Sequence, residues 1–183
     1  MFFNVTVSMV LTYLICNSIY SSLYNCLIIT ISSLLKIIFH DNYIVHKILE
    51  LATLNSIFFY TIDTIHILRN VKITIFIIHH ICSCQLLLSK YIFDYDIYIS
   101  YIFLFIIELS SVIYNLYHHR FINKNIHIFF YVTLRLVSNI LLIYFILYEN
   151  KYTYYLELIL DLISYILLFA FNTGGILKSL KCI

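Results

Sequence analysis

The chain has 183 residues, of which 63 % are hydrophobic and 11 % charged, against roughly 45–50 % and 25 % in soluble globular proteins. Too few charged side chains are present to cover a water-exposed surface, and 18 Tyr with 15 Phe exclude the aromatic-poor composition of a disordered chain. A formal net charge of +2 supplies no basic stripe, so nucleic acid is excluded as a partner.

Residues 1–13 are apolar and run into the next segment without a polar break. They lack the positively charged start and small-residue cleavage site of a signal peptide, and read as an N-terminal extension or an interfacial segment. The sequon at Asn4 and Thr6 is discounted because it lies in this apolar run. Apolar runs between polar breaks then predict membrane-spanning helices at 14–35, 48–68, 73–88, 97–116, 126–148 and 152–177, near the ~20 residues that cross a bilayer. The polar joints fall at 40–42 with Lys47, then 69–72, 90–96, 118–125 and 149–151. The expected architecture is therefore all-α, a polytopic transmembrane bundle of six spans occupying 14–181, or seven if the N-terminal segment crosses. The Tyr-rich stretches at 91–101 and 152–155 fit aromatic belts at the membrane surface.

With six spans, one side holds Arg69, Lys72, Arg120, Lys124, Lys178 and Lys181 and no acid; the other mixes Lys36, Lys47, Lys90 and Lys151 with Asp41, Glu50, Asp94, Asp96 and Glu149. The excess of Lys and Arg marks the first side as cytosolic, with both termini on it. Five cysteines, Cys16, Cys26, Cys82, Cys84 and Cys182, form no disulfide framework, and the spacing of Cys82 and Cys84 is wrong for a CxxC metal or redox motif. No metal site is expected.

An ionised side chain at mid-membrane costs roughly 2.5–3.5 kcal/mol on the insertion scale, so intramembrane charges mark candidate sites. Here they are Asp63, His66, His79, His80, Glu108, Arg135, Glu157 and Asp161. At ~1.5 Å per residue, Asp63, His79, His80, Glu108 and Arg135 all fall at one depth, within ~8–15 Å of the cytosolic ends of four different helices. One reading is a polar chamber in which a histidine serves as base or nucleophile and a carboxylate holds it. The other is helix glue, with Arg135 paired to Glu108 or Asp63 and the histidines bonded across helices. His66 reads as interfacial, and His118, His119 and His127 as solvated. Glu157 and Asp161, one turn apart, are expected to face a wet luminal vestibule or to snorkel toward the interface.

Several fragments carry a resemblance: NSIYSSLYN (17–25), FFYTID (58–63), IIHHI (77–81), ELSSVIYN (108–115), Arg135 within YVTLRLVSN (131–139) and Asn172 within FNTGG (171–175). In this order they resemble the TLC-domain family of multi-pass membrane proteins, its smaller lipid-homeostasis branch more than the ceramide synthases. Tyr24 stands where the family's first helix has His, and Val112 where the smaller branch has Pro. The resemblance implies a bundle of about six spans around a lipid-accessible cavity in the endoplasmic reticulum or connected membranes. It also implies a site formed by His79, His80, Asp63 and Glu108, with Arg135, Ser110 and Asn115 binding substrate. The second half of the ceramide synthase signature, which opens on a His-Asp pair, here reads IIELSS (106–111) with no such pair. This ranks a protein that binds, senses or moves membrane lipids, with no cofactor, ahead of an acyl-CoA-dependent N-acyltransferase. A small proton or ion pathway ranks third. Membrane lipids are the expected partners, with a homo-oligomer left open.

Overall fold

The computed structural model describes residues 20–69, 75–93, 98–148 and 155–181; within these, the side chains at 66–69, 75–76, 88–93, 98, 146, 148 and 155–157 are not described. The N-terminal segment 1–13, the sequon, Cys16, Cys182 and the side chains of His66 and Glu157 therefore lie outside the described residues.

The described residues form six helices: α1 (Ser21–Ile38), α2 (Tyr43–Arg69), α3 (Ile75–Phe93), α4 (Tyr98–His118), α5 (Lys124–Tyr148) and α6 (Tyr155–Lys181). All but α3 are long and apolar enough to cross a membrane, and the described side chains of α3 contribute a shorter apolar stretch, Ile77–Leu87. The expected all-α bundle is what forms. Two joints are shorter than the polar residues suggested. Lys47 lies inside α2, its ammonium 2.5 Å from Glu50 one turn on, and α3 continues through Lys90 to Phe93. A charge paired near the end of a spanning helix, as Lys47 is, costs little and does not stop it.

Local signals set the visible turns. The Asn42 side-chain oxygen accepts the backbone N–H groups of Ile44 and Val45 at 2.9 and 3.2 Å and so caps α2. Asn123 caps α5 through Ile126 N–H at 2.9 Å. At the end of α4, Phe121 N–H bonds to Leu116 C=O and Arg120 N–H to Tyr117 C=O, with Arg120 at φ 62°. These crossed bonds are a Schellman cap, and the left-handed residue reverses the chain toward α5.

The helices close into a ring. α1 packs on α2 and α4, α2 on α3, α3 on α6, α6 on α5, and α5 on α4. Every neighbouring pair runs antiparallel, because the partner's number falls as one helix is followed upward. Ser111 meets Arg135 while Tyr117 meets His127; His79 meets Phe171 while Gln85 meets Asp161; Tyr20 meets His119 while Lys36 meets Tyr101. Side chains inside such a ring are shared by helices that are not neighbours. Two apolar clusters fill the half nearer the 39–42 turn: Ile29, Leu49, Ala52, Phe59, Leu87 and Leu104 with the rings of Tyr60 and Tyr101, and Cys82, Leu142 and Leu168. Tyr101 is thus core, beneath the Lys36 ammonium at 5.5 Å, and not part of a surface belt.

Candidate functional site

Each helix contributes to a buried polar layer in the other half of the ring. On α1, Asn25 is fully buried, and its side-chain oxygen accepts Ser56 Oγ at 2.9 Å and Asn55 Nδ2 at 3.2 Å from α2. Cys26 lies beside the Glu108 carboxyl. Across the ring from α2, Tyr60 Oη donates to Glu108 Oε1 at 3.0 Å, which joins two helices that do not pack on each other.

The paired histidines of α3 part company by the ~100° step of the helix. His79 stacks on Phe171 of α6 with centroids 4.3 Å apart and planes 10° apart. His80 is buried, its ring 5.0 Å from that of Tyr60. His80 Nδ1 approaches Asp63 Oδ2 at 3.4 Å, but without hydrogen-bond alignment, and the Asp63 side chain is 38 % exposed. This contact therefore orients the ring weakly.

Arg135 of α5 is buried, and its partners are neutral. Nη1 donates to Asn172 Oδ1 of α6 and Nη2 to Ser111 Oγ of α4 at 3.2 Å. The pairing of Arg135 with Glu108 or Asp63 expected of simple helix glue does not form. Asn172 is the hub of this corner: its amide nitrogen also donates to Ser138 Oγ and Asn139 Oδ1, each at 3.1 Å. Aromatic faces close the rest, with the guanidinium 5.3 Å from Tyr131 and 5.9 Å from Phe171. Gly175 allows this approach, because a Cβ there would meet Tyr131 Oη at 2.5 Å.

The layer thus gathers His79, His80, Glu108 and Arg135, with Asp63 at its edge. Ser110 and Asn115 bond to their own helix instead, Ser110 Oγ to Ile107 C=O at 2.6 Å and Asn115 Nδ2 to Ser111 C=O at 2.8 Å. Ser111 takes the place expected of Ser110, one residue and ~100° away. Tyr60, Asn25, Ser138 and Asn139 were missed as site residues; an amide or hydroxyl in the middle of an apolar span was their signal. Two other expectations are corrected. His127 is buried, stacked between Tyr117 at 4.4 Å and Tyr131 at 5.0 Å, because the α4–α5 turn folds the end of α4 onto it. Asp161 is buried against α3 near Gln85, so it does not snorkel.

Buried polar atoms in proteins are almost always hydrogen-bonded. In this layer Asn25 Nδ2, His79 Nδ1, His80 Nδ1, Glu108 Oε2 and Arg135 Nε are buried without a hydrogen-bond partner. Five atoms on four helices therefore offer unused donors and acceptors at one level. Among the described residues no group of three or more His, Cys, Asp and Glu is placed to hold a metal ion, and Cys26, Cys82 and Cys84 are free thiols.

Fold and layer together define a polytopic α-helical integral membrane protein with a polar layer buried inside a ring of helices. Comparison with protein-family models, curated proteins and solved structures finds no match for the chain.

Proposed function

We propose that this protein binds membrane lipids, to sense or move them, and that the layer around His79, His80, Glu108 and Arg135 recognises the polar head of the lipid. The observation that carries the reading is the set of five unsatisfied polar atoms at one level. A structural glue would have used them on each other, since each unmade buried bond costs about 1–3 kcal/mol. The likeness of FFYTID, IIHHI and ELSSVIYN to TLC-domain motifs supports the same reading and favours the endoplasmic reticulum and its connected membranes. Mass spectrometry of lipid retained by the purified protein tests it. Wild type is expected to carry a lipid that His79→Ala, His80→Ala or Arg135→Gln loses at unchanged protein level. Well-inserted wild type free of specific lipid would overturn it.

The approach of Asp63 to His80 supports a second reading, an acyl-CoA-dependent N-acyltransferase with His80 as base and Asp63 as its orienting partner. Labelled sphingoid base and acyl-CoA, fed to the same samples, separate the two. An N-acyl product that vanishes in His80→Ala would establish the enzyme. An ion pathway to Asp161 ranks last, because it needs a continuous wet route to that carboxyl, and the half of the ring that holds Asp161 is packed with buried apolar side chains such as Leu142 and Leu168.

A further inference from the structure

Glu108 and Arg135, an acid and a base, are both buried in one layer, yet they form no direct ion pair. Each is instead held by neutral groups and keeps a buried atom with no partner. Tyr60 occupies Glu108 Oε1 and leaves Oε2 as a free acceptor; Asn172 and Ser111 occupy the two terminal nitrogens of Arg135 and leave Nε–H as a free donor. A buried charge is tolerated where it is paired and fully hydrogen-bonded. A lone anion would answer the guanidinium but meet Glu108, and a lone cation would answer the carboxylate but meet Arg135.

We propose, resting on the lipid-binding reading, that the layer takes a zwitterionic group, its anion at Arg135 Nε and its ammonium at Glu108 Oε2. The free acceptor on Glu108 calls for a hydrogen-bond donor, and a cation that answers both the charge and the bond is an ammonium that carries hydrogens. A quaternary ammonium has none to give. Tyr60 and Asn172 are positioning residues: they fix the two charged groups by occupying the atoms that would otherwise collapse onto each other.

The test uses the full chain in detergent micelles and four lipids with identical acyl chains: phosphatidylethanolamine, phosphatidylcholine, phosphatidylglycerol and diacylglycerol, titrated by native mass spectrometry. A hydrogen bond to a charged group contributes about 1.5–3 kcal/mol, so phosphatidylethanolamine is expected to bind about tenfold or more tighter than the other three. Glu108→Gln keeps an oxygen for the Tyr60 hydroxyl and removes the charge; it is expected to erase the preference over phosphatidylglycerol while phosphatidylglycerol still binds. Arg135→Gln is expected to weaken both phospholipids alike, and Arg135→Lys to restore part of that binding. Competition by free phosphoethanolamine assigns the source: displacement points to a small soluble zwitterion, and resistance to the lipid head. Equal binding of the three phospholipids, or a preference that survives Glu108→Gln, overturns the zwitterion while leaving lipid binding intact. Failure of all four lipids to bind overturns the lipid-binding reading and the inference with it.

Discussion

Asn172 shows how much one neutral side chain does in this core. Its oxygen accepts from Arg135, and its nitrogen donates to Ser138 and Asn139, so both of its N–H donors and one acceptor site are used. The neighbouring Gly175 sets how close α6 comes to α5. Gly175→Ala is expected to push against Tyr131 Oη and destabilise the protein by about 1–3 kcal/mol, as overpacking does. Gly174→Ala meets nothing within 4 Å and serves as the control. Thermal unfolding in micelles separates them, and equal midpoints for the two variants would show that Tyr131 yields without cost. At this scale the sequence was least legible. Ser110 and Ser111 are alike as letters, and only helical phase decides that Ser111 meets the guanidinium. His127 looks like a solvated residue at a helix start, and it is the folded-back turn that buries it between two tyrosines.

The helices themselves were legible because an apolar run long enough to cross a bilayer signals a span without any need of phase. Five of the six described helices meet that measure, and expected and observed ends differ mostly by a few residues. Facing was a different matter. Spans that are apolar all round have little amphipathicity to orient them, so which side of α2 or α3 points inward is decided by Asn25, Tyr60 and His80 finding partners on other helices. At the helix ends the rules of soluble proteins return. Arg120 adopts a left-handed conformation that costs an ordinary L-residue roughly 1–2 kcal/mol and glycine almost none. Arg120→Gly is therefore expected to raise stability by about 1 kcal/mol, read as a higher thermal midpoint. Asn42→Ala is expected to lower it by about 1 kcal/mol through the lost cap on α2. A fall in midpoint for Arg120→Gly would mean that the Arg120 side chain contributes more than its backbone strain removes.

Ring closure ties the parts together, because the α3–α6 contact joins helices far apart in sequence and completes a circuit in which each helix opposes both neighbours in direction. Antiparallel neighbours offset one another's dipoles, and six crossings return the chain to the face on which α1 began. The turn 39–42 must then lie at one end of the ring, and the turn 119–123, with the far end of α6, at the other. α4, between them, has 21 residues, about 31 Å at 1.5 Å per residue, which matches a hydrocarbon core of about 30 Å. The second end carries Arg120, Lys124, Lys178 and Lys181, and the first mixes Lys36 and Lys47 with Asp41 and Glu50. By the positive-inside rule the Arg120 end is expected in the cytosol. Two cysteine probes at exposed positions decide this: Asp41→Cys and Arg120→Cys, each in a parent carrying Cys16→Ser, Cys84→Ser and Cys182→Ser, with the buried Cys26 and Cys82 left in place. In intact cells a membrane-impermeant maleimide is expected to spare Arg120→Cys until the plasma membrane is opened. In sealed microsomes, whose cytosolic face is outward, the same reagent is expected to label Arg120→Cys at once and Asp41→Cys only after detergent. Labelling of both positions from one face would break the alternation on which the ring is built, whereas exchange of the two patterns would keep the ring and reverse its orientation in the membrane.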